Sequence, residues 1–149
     1  MRPSIGIVSS TFLNYDGSFM QGGSERYTLM LCRLLYKLGY APMVLQPSYN
    51  RTFSIVHKYD GVPIQVVGIG QPKDEAAYHE MLDRYLQQVD YELYREFFIL
   101  FGRQSIRPAI AISHGIPFDD PSRLSPPTQA FWERLCAALG SITKLVSCD

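Results

Sequence analysis

Two stretches of the chain gather residue types able to hold a polar ligand. The first begins Ser9-Ser10-Thr11-Phe12-Leu13-Asn14 and closes on Gln21-Gly22-Gly23-Ser24, where a helical pattern starts. Two adjacent glycines ahead of a helix let a ligand approach the backbone, and the free amides of a first helical turn favour a phosphate or another anion. The same pair serves equally well as a plain lead-in from loop to helix. The second stretch is Ser113-His114-Gly115-Ile116-Pro117. An imidazole followed by a glycine that frees the backbone to turn can hydrogen-bond a sugar hydroxyl or a phosphate. Ser113, Gly115 and Glu25 stand as further edge residues of that candidate site. His57 and His79 lie in polar stretches and read as solvated.

Spacing sets several chemistries aside. Gly17 is too far upstream of Gly22 to make a G-x-G-x-x-G, no Gly-Lys-Ser/Thr follows, and Gly68-Ile69-Gly70 runs into Gln71-Pro72. Neither a dinucleotide nor a P-loop fingerprint is present. No Cys/His cluster has zinc-ligand spacing, and no G-x-S-x-G elbow raises a serine nucleophile. Asp119-Asp120 lacks the Asp-x-Asp spacing of metal-dependent sugar transferases and reads as turn chemistry beside Pro121. No metal ligand is expected.

The elements that must position these residues alternate short β-branched runs with longer helical periods, the mark of an α/β fold. Strands are predicted over 4–9, 42–46, 62–68, 109–113 and 144–148. Most are continuous apolar runs, as expected of a parallel sheet buried on both faces. The predicted architecture is a Rossmann-like, doubly wound sheet in three layers, helices on either side. In such a sheet ligands sit beyond the carboxyl ends of the strands, where both stretches fall.

A helix is predicted over 25–38 with Tyr27, Met30, Leu31, Leu34, Leu35 and Leu38 as its apolar stripe. Ser24 is its expected N-cap, and Gly39 its left-handed C′ residue. A second helix is expected over 74–101, with Tyr78, Met81, Leu82, Tyr85, Leu86, Val89 and Leu93 buried and an aromatic-rich second half. That half, Tyr91, Tyr94, Phe97, Phe98 and Phe101, packs inward or docks a hydrophobic acceptor or membrane edge. A third helix is predicted over 128–139, after Pro126-Pro127. Residues 49–60 suit a short helix or an irregular crossover.

The 149 residues are 46% hydrophobic, enough for one core of ordinary density, and the 14 Lys and Arg balance 14 Asp and Glu. A chain without net charge or a basic run has no electrostatic claim on nucleic acid. Cys32, Cys136 and Cys148 are odd in number and far apart, as in a cytoplasmic protein with reduced thiols. No 18-residue apolar run spans a membrane, though peripheral membrane contact stays open.

The opening of the chain resembles a known family. Ile5-Gly6-Ile7-Val8-Ser9-Ser10, the long loop to Gly22-Gly23-Ser24-Glu25-Arg26-Tyr27, and the helix ending Leu38-Gly39-Tyr40 before Pro42-Met43-Val44-Leu45-Gln46 are similar to the start of retaining, family-four GT-B glycosyltransferases. Ser113-His114-Gly115 resembles the His-Gly step at the end of a later strand of their N-terminal domain. The resemblance implies sugar transfer from a nucleotide-sugar donor to an unknown acceptor, without an obligatory metal or other cofactor. It places Gly22, Gly23 and Ser24 against the donor phosphates and makes His114 the candidate catalytic residue. It also implies that residues 1–149 are the acceptor-side domain, the nucleotide-sugar domain being absent, so that this chain alone folds but is inactive. Two other readings are a non-catalytic Rossmann-like binding or regulatory module and a GT-B-fold nucleotide-sugar epimerase.

Overall fold

A computed structural model of the chain describes residues 1–14, 16–48, 52–70, 75–95, 108–113 and 126–147. Its strands are β1 (Ser4–Val8), β2 (Ala41–Ser48), β3 (Phe53–Tyr59), β4 (Val62–Gly70), β5 (Tyr91–Tyr94), β6 (Ala109–Ser113) and β7 (Lys144–Ser147). They form one sheet in the order β3-β4-β2-β1-β5-β6-β7, parallel except for β3. Without β3 the order is that of a Rossmann sheet, reversing direction between β1 and β5.

Helix α1 (Gly23–Lys37) covers one face; α2 (Glu75–Leu86) and α3 (Pro126–Leu139) cover the other. On the α1 face Ile5, Ile7, Val44, Ile64 and Leu93 pack with Cys32 and Leu35, and on the opposite face Val8, Leu45, Val67 and Tyr94 pack with Leu82, Leu86 and Ala138. The expected three-layer α/β architecture is therefore present. Right-handed crossovers demand this division, because β1 to β2 and β6 to β7 travel in opposite directions across the sheet.

Helix α1 departs from expectation at its start and on its buried face. The N-cap is Gly22, extended at φ −76°, ψ 168°, and not Ser24. The Arg26 amide donates to the Gly22 carbonyl at 3.2 Å, so Ser24 already lies in the first turn. At the other end Gly39 has φ 96°, and the Gly39 and Tyr40 amides donate to Tyr36 and Leu35. This is the expected left-handed stop in Schellman form. The buried residues are Glu25, Thr28, Cys32 and Leu35, whereas Met30, Leu34 and Leu38 are exposed. The helix is rotated because Glu25 and Thr28 find internal partners, which makes a polar-led face cheaper to bury than hydropathy alone suggests.

The helix expected over 74–101 ends at Leu86, and Tyr91–Tyr94 is strand. Strand β1 needs a parallel neighbour on its second side, and β5 supplies it, from Ile5 opposite Tyr91 to Val8 opposite Tyr94. The turn between is held by Asp90, whose carboxylate accepts from the Ser4 amide at 2.7 Å and the Ser4 hydroxyl at 2.9 Å. Burial in the sheet outweighs the helical period that Val89 and Leu93 continue. Tyr91 and Tyr94 are thus not part of an aromatic helix, and Phe97, Phe98 and Phe101 lie outside the described residues.

Residues 53–59 form a strand, not a helix or irregular crossover. Asp60 and Gly61 have φ 49° and 80°, a type I′ turn that joins β3 to β4 as a hairpin. On β4, a Cβ placed at Gly68 would lie 2.1 Å from the nearest atom of the Phe53 ring, so that ring rests directly on the backbone. Gly68 and Gly70 belong to this strand and not to a nucleotide loop. Helix α3 begins two residues earlier than expected, with Pro126 and Pro127 in a first turn that has no use for their missing amides. No helix among the described residues is long and apolar enough to cross a membrane.

Candidate functional site

The β1–β5 switch point brings together residues that are 86 positions apart. Ser9 and Arg95 follow directly on β1 and β5, and their amides extend the sheet by donating to Leu45 and Val8 carbonyls. Arg95 is fully buried; its Nε donates to Ser9 Oγ at 3.0 Å and one terminal nitrogen to Ser10 Oγ at 3.2 Å. The Ser9 hydroxyl in turn donates to the Thr11 carbonyl at 2.7 Å.

Beside this cluster α1 begins. Glu25, 5% exposed, accepts a hydrogen bond from the Thr11 hydroxyl. Its carboxylate folds back over Gly22, where a Cβ would lie 2.1 Å from Oε2. A side chain at Gly22 would therefore require this carboxylate to shift. Burial pushes the Glu25 carboxyl up, but hydrogen bonds from Thr11, its own amide and Ser24, with the Arg95 charge, hold it below the usual carboxylate range. The stabilisation this gives is complete above the unfolded value, about 4.3, and is lost as pH falls through the lower folded value. Denaturant titrations should therefore show stability falling below about pH 4.3, with a shallower fall in Glu25→Gln. Equal slopes in both proteins would show that Glu25 is not linked to folding.

The loop after β1 is held in place at three points. The Gln46 side chain accepts from the Leu13 amide at 2.8 Å and donates to the Leu13 carbonyl at 3.1 Å, acting as one rung of sheet. Phe12, Phe19 and Tyr59 form an edge-to-face trio with centroids 5.3, 5.5 and 6.0 Å apart. Asp16 caps the small turn by accepting from Ser18.

Between this loop and the carboxyl end of β2 lies a cavity of about 80 Å³ lined by Ser10, Thr11, Asn14, Gln46, Ser48 and Phe53, among others. Among the described residues none of its lining side chains is charged. At that size it admits part of a ligand, one ring or a few hydroxyls, whereas whole small-molecule sites run to about 300–1,000 Å³. Leu13, Met20, Pro47 and Phe53 make most of the wall apolar, with the hydroxyls of Ser10, Thr11 and Ser48 and the Asn14 amide as polar points along it.

Of the residues expected at the site, Gly22 and Gly23 are exposed at the start of α1 and Ser24 is half-buried, its carbonyl accepting from Thr28 at 3.0 Å. Glu25 is inside the cluster. Ser113 ends β6, opposite Ser147 of β7. His114 and Gly115, with Asp119, Asp120 and Cys148, lie outside the described residues. Arg95, Gln46 and Ser48 were not anticipated. His57 and His79 are half-buried, His57 stacking on Tyr59 at 5.7 Å. The Cys32 thiol, pushed up to about 12 by burial, is no nucleophile. Among the described residues no group of His, Cys, Asp or Glu could hold a metal ion. Compared with known protein families and with curated proteins, the chain matches none.

Proposed function

We propose that this chain is the N-terminal, acceptor-side part of a cytoplasmic glycosyltransferase of retaining GT-B type, moving a sugar from a nucleotide-sugar donor to an acceptor. The observation that carries the reading is the crowding of one sheet edge. The Gly22-Gly23 start of α1 and the Ser9-Ser10-Thr11 turn with Arg95 lie at the β1–β5 switch point, and a cavity with hydroxyls and amides along a largely apolar wall opens beside that turn, toward β2. A sugar ring would enter the cavity edge, and the exposed amides at Gly22 and Gly23 would face the donor phosphates. His114, next in sequence after β6, would contact the transferred sugar.

One observation favours the non-catalytic module instead: the Glu25 carboxylate already occupies the start of α1, and Gly22 makes room for it. The two readings separate by amide-shift mapping of the chain with millimolar nucleotide sugars. Sugar transfer predicts shifts confined to Ser10, Thr11, Gly22, Gly23 and Gln46. Gly23→Ala sharpens the test, because a Cβ there meets nothing within 4 Å. Stability should hold or rise by up to about 1 kcal/mol, as for Gly to Ala in a helix, while those shifts weaken. Absent shifts, or shifts unchanged by the substitution, would leave the glycines as a helix lead-in only.

A further inference from the structure

Most polar residues around the cavity beside the β1 loop already spend their side chains on the protein itself. The Thr11 hydroxyl donates to Glu25, the Asn14 amide donates to Ser18 Oγ at 3.0 Å, and the Gln46 amide is held by the Leu13 backbone. Ser10 Oγ accepts from Arg95. Ser48 is different. It closes β2, is 7% exposed and lines the cavity, yet its hydroxyl has no hydrogen-bond partner among the described residues. A hydroxyl so far from water is ordinarily paired, so this one has bonding capacity to offer a ligand. The rest of the wall offers little else: Leu13, Met20, Pro47 and Phe53 are apolar. With no charged side chain described in the lining, an ion would lose its water without an answering charge.

We propose that this cavity takes a neutral alcohol carried on a small apolar group, the hydroxyl bonding Ser48 and the hydrocarbon lying along Met20, Pro47 and Phe53. The volume sets the size of that group. An apolar cavity of about 150 Å³ holds benzene, so about 80 Å³ with an open side takes the leading part of one ring or a short alkyl chain. The lining sets its polarity. A polyol pushed in past the edge, where its hydroxyls still meet water, would set several of them against Leu13, Met20 and Pro47, which cannot answer them. A bare hydrocarbon would leave Ser48 unpaired. An apolar group with a single hydroxyl meets both demands. On the sugar-transfer reading, on which this role alone rests, that alcohol is the acceptor and the sugar meets it at the cavity edge; the binding itself does not need that reading.

The test is an amide-shift titration of the 149-residue chain with benzyl alcohol, toluene, glycerol and benzoate. The expected result is saturable binding of benzyl alcohol, with a dissociation constant on the order of 1 mM and shifts gathered at Leu13, Met20, Gln46 and Ser48. Toluene should bind about fivefold more weakly, the worth of one neutral hydrogen bond, and glycerol and benzoate should leave those amides unmoved. Ser48→Ala should weaken benzyl alcohol about fivefold and leave toluene unchanged, which removes the preference. Met20→Ser should weaken both ligands at least about threefold by making the wall polar. Thermal melts report that both variants are folded. No saturable binding of benzyl alcohol, an affinity unmoved by Ser48→Ala, or glycerol or benzoate bound as well as benzyl alcohol overturns the proposal. Failure of the sugar-transfer reading has another signature. Benzyl alcohol then binds as stated while millimolar nucleotide sugars leave Ser10, Thr11, Gly22 and Gly23 unmoved, and the cavity keeps its alcohol without an acceptor's role.

Discussion

Replacing Arg95 by leucine is expected to cost about 1–3 kcal/mol of folding stability, because the substitution leaves buried hydrogen-bond partners behind. The leucine itself would pack acceptably. What remains is the Glu25 carboxylate, 5% exposed, without its nearby cation, and the Ser9 and Ser10 hydroxyls without their donor. Against a typical domain stability of about 5–15 kcal/mol, that loss lowers the melting temperature by about 5 °C. The origin of the cost is checked by a second substitution. Glu25→Gln in the Arg95→Leu background should be less destabilising than the two single effects added, since the charge left unanswered is gone. Urea titrations of the four proteins give the coupling. A loss below about 1 kcal/mol, or strict additivity, would show that the guanidinium is not what holds the switch point together.

Gly68→Ala is expected to cost about 1–2 kcal/mol, part of the value of burying one phenylalanine. The added Cβ would lie 2.1, 2.5 and 2.6 Å from three atoms of the Phe53 ring, distances no contact sustains. The ring must leave the α1-side core, where it packs partly buried, and move into the neighbouring cavity it helps to line. Phe53→Ala made first should remove most of the penalty, because nothing is left to collide. If Gly68→Ala costs the same with and without the ring, the effect belongs to the strand backbone and not to this contact.

The parts of the fold that could be read along the chain are those whose signal is local. Val62 to Gly70, Ala109 to Ser113 and Lys144 to Ser147 are β-branched or small apolar runs, and the Gly39 stop of α1 is a one-residue signature. Strand β5 was hidden because Val89 and Leu93 continue the period of α2 without a break in hydropathy; only the need of β1 for a second neighbour turns them into strand. Strand β3 did carry a local sign, Tyr59-Asp60-Gly61-Val62 between alternating residues, with His57 and Lys58 diluting the pattern. The rotation of α1 was illegible for another reason. Hydropathy ranks Met30 and Leu34 above Glu25 and Thr28, and only the partners Thr11, Arg95 and Ser24 reverse that order. Arg95 itself had no signal, as its role exists only once β1 and β5 lie side by side.

The hairpin from Phe53 to Gly70 and the β1–β5 seam differ in how far the chain must travel to close them. The hairpin needs a two-residue turn, and its strands can meet in microseconds. The seam joins Ser4 to Asp90 and Ser9 to Arg95, each across 86 positions, and closing so long a loop carries an entropic cost that the first few contacts do not return. The edge of the sheet thus forms early and its centre late. During synthesis the Arg95–Ser9 cluster cannot exist until some 95 residues have left the ribosome, so the loop after β1 spends that interval without the guanidinium that later organises it.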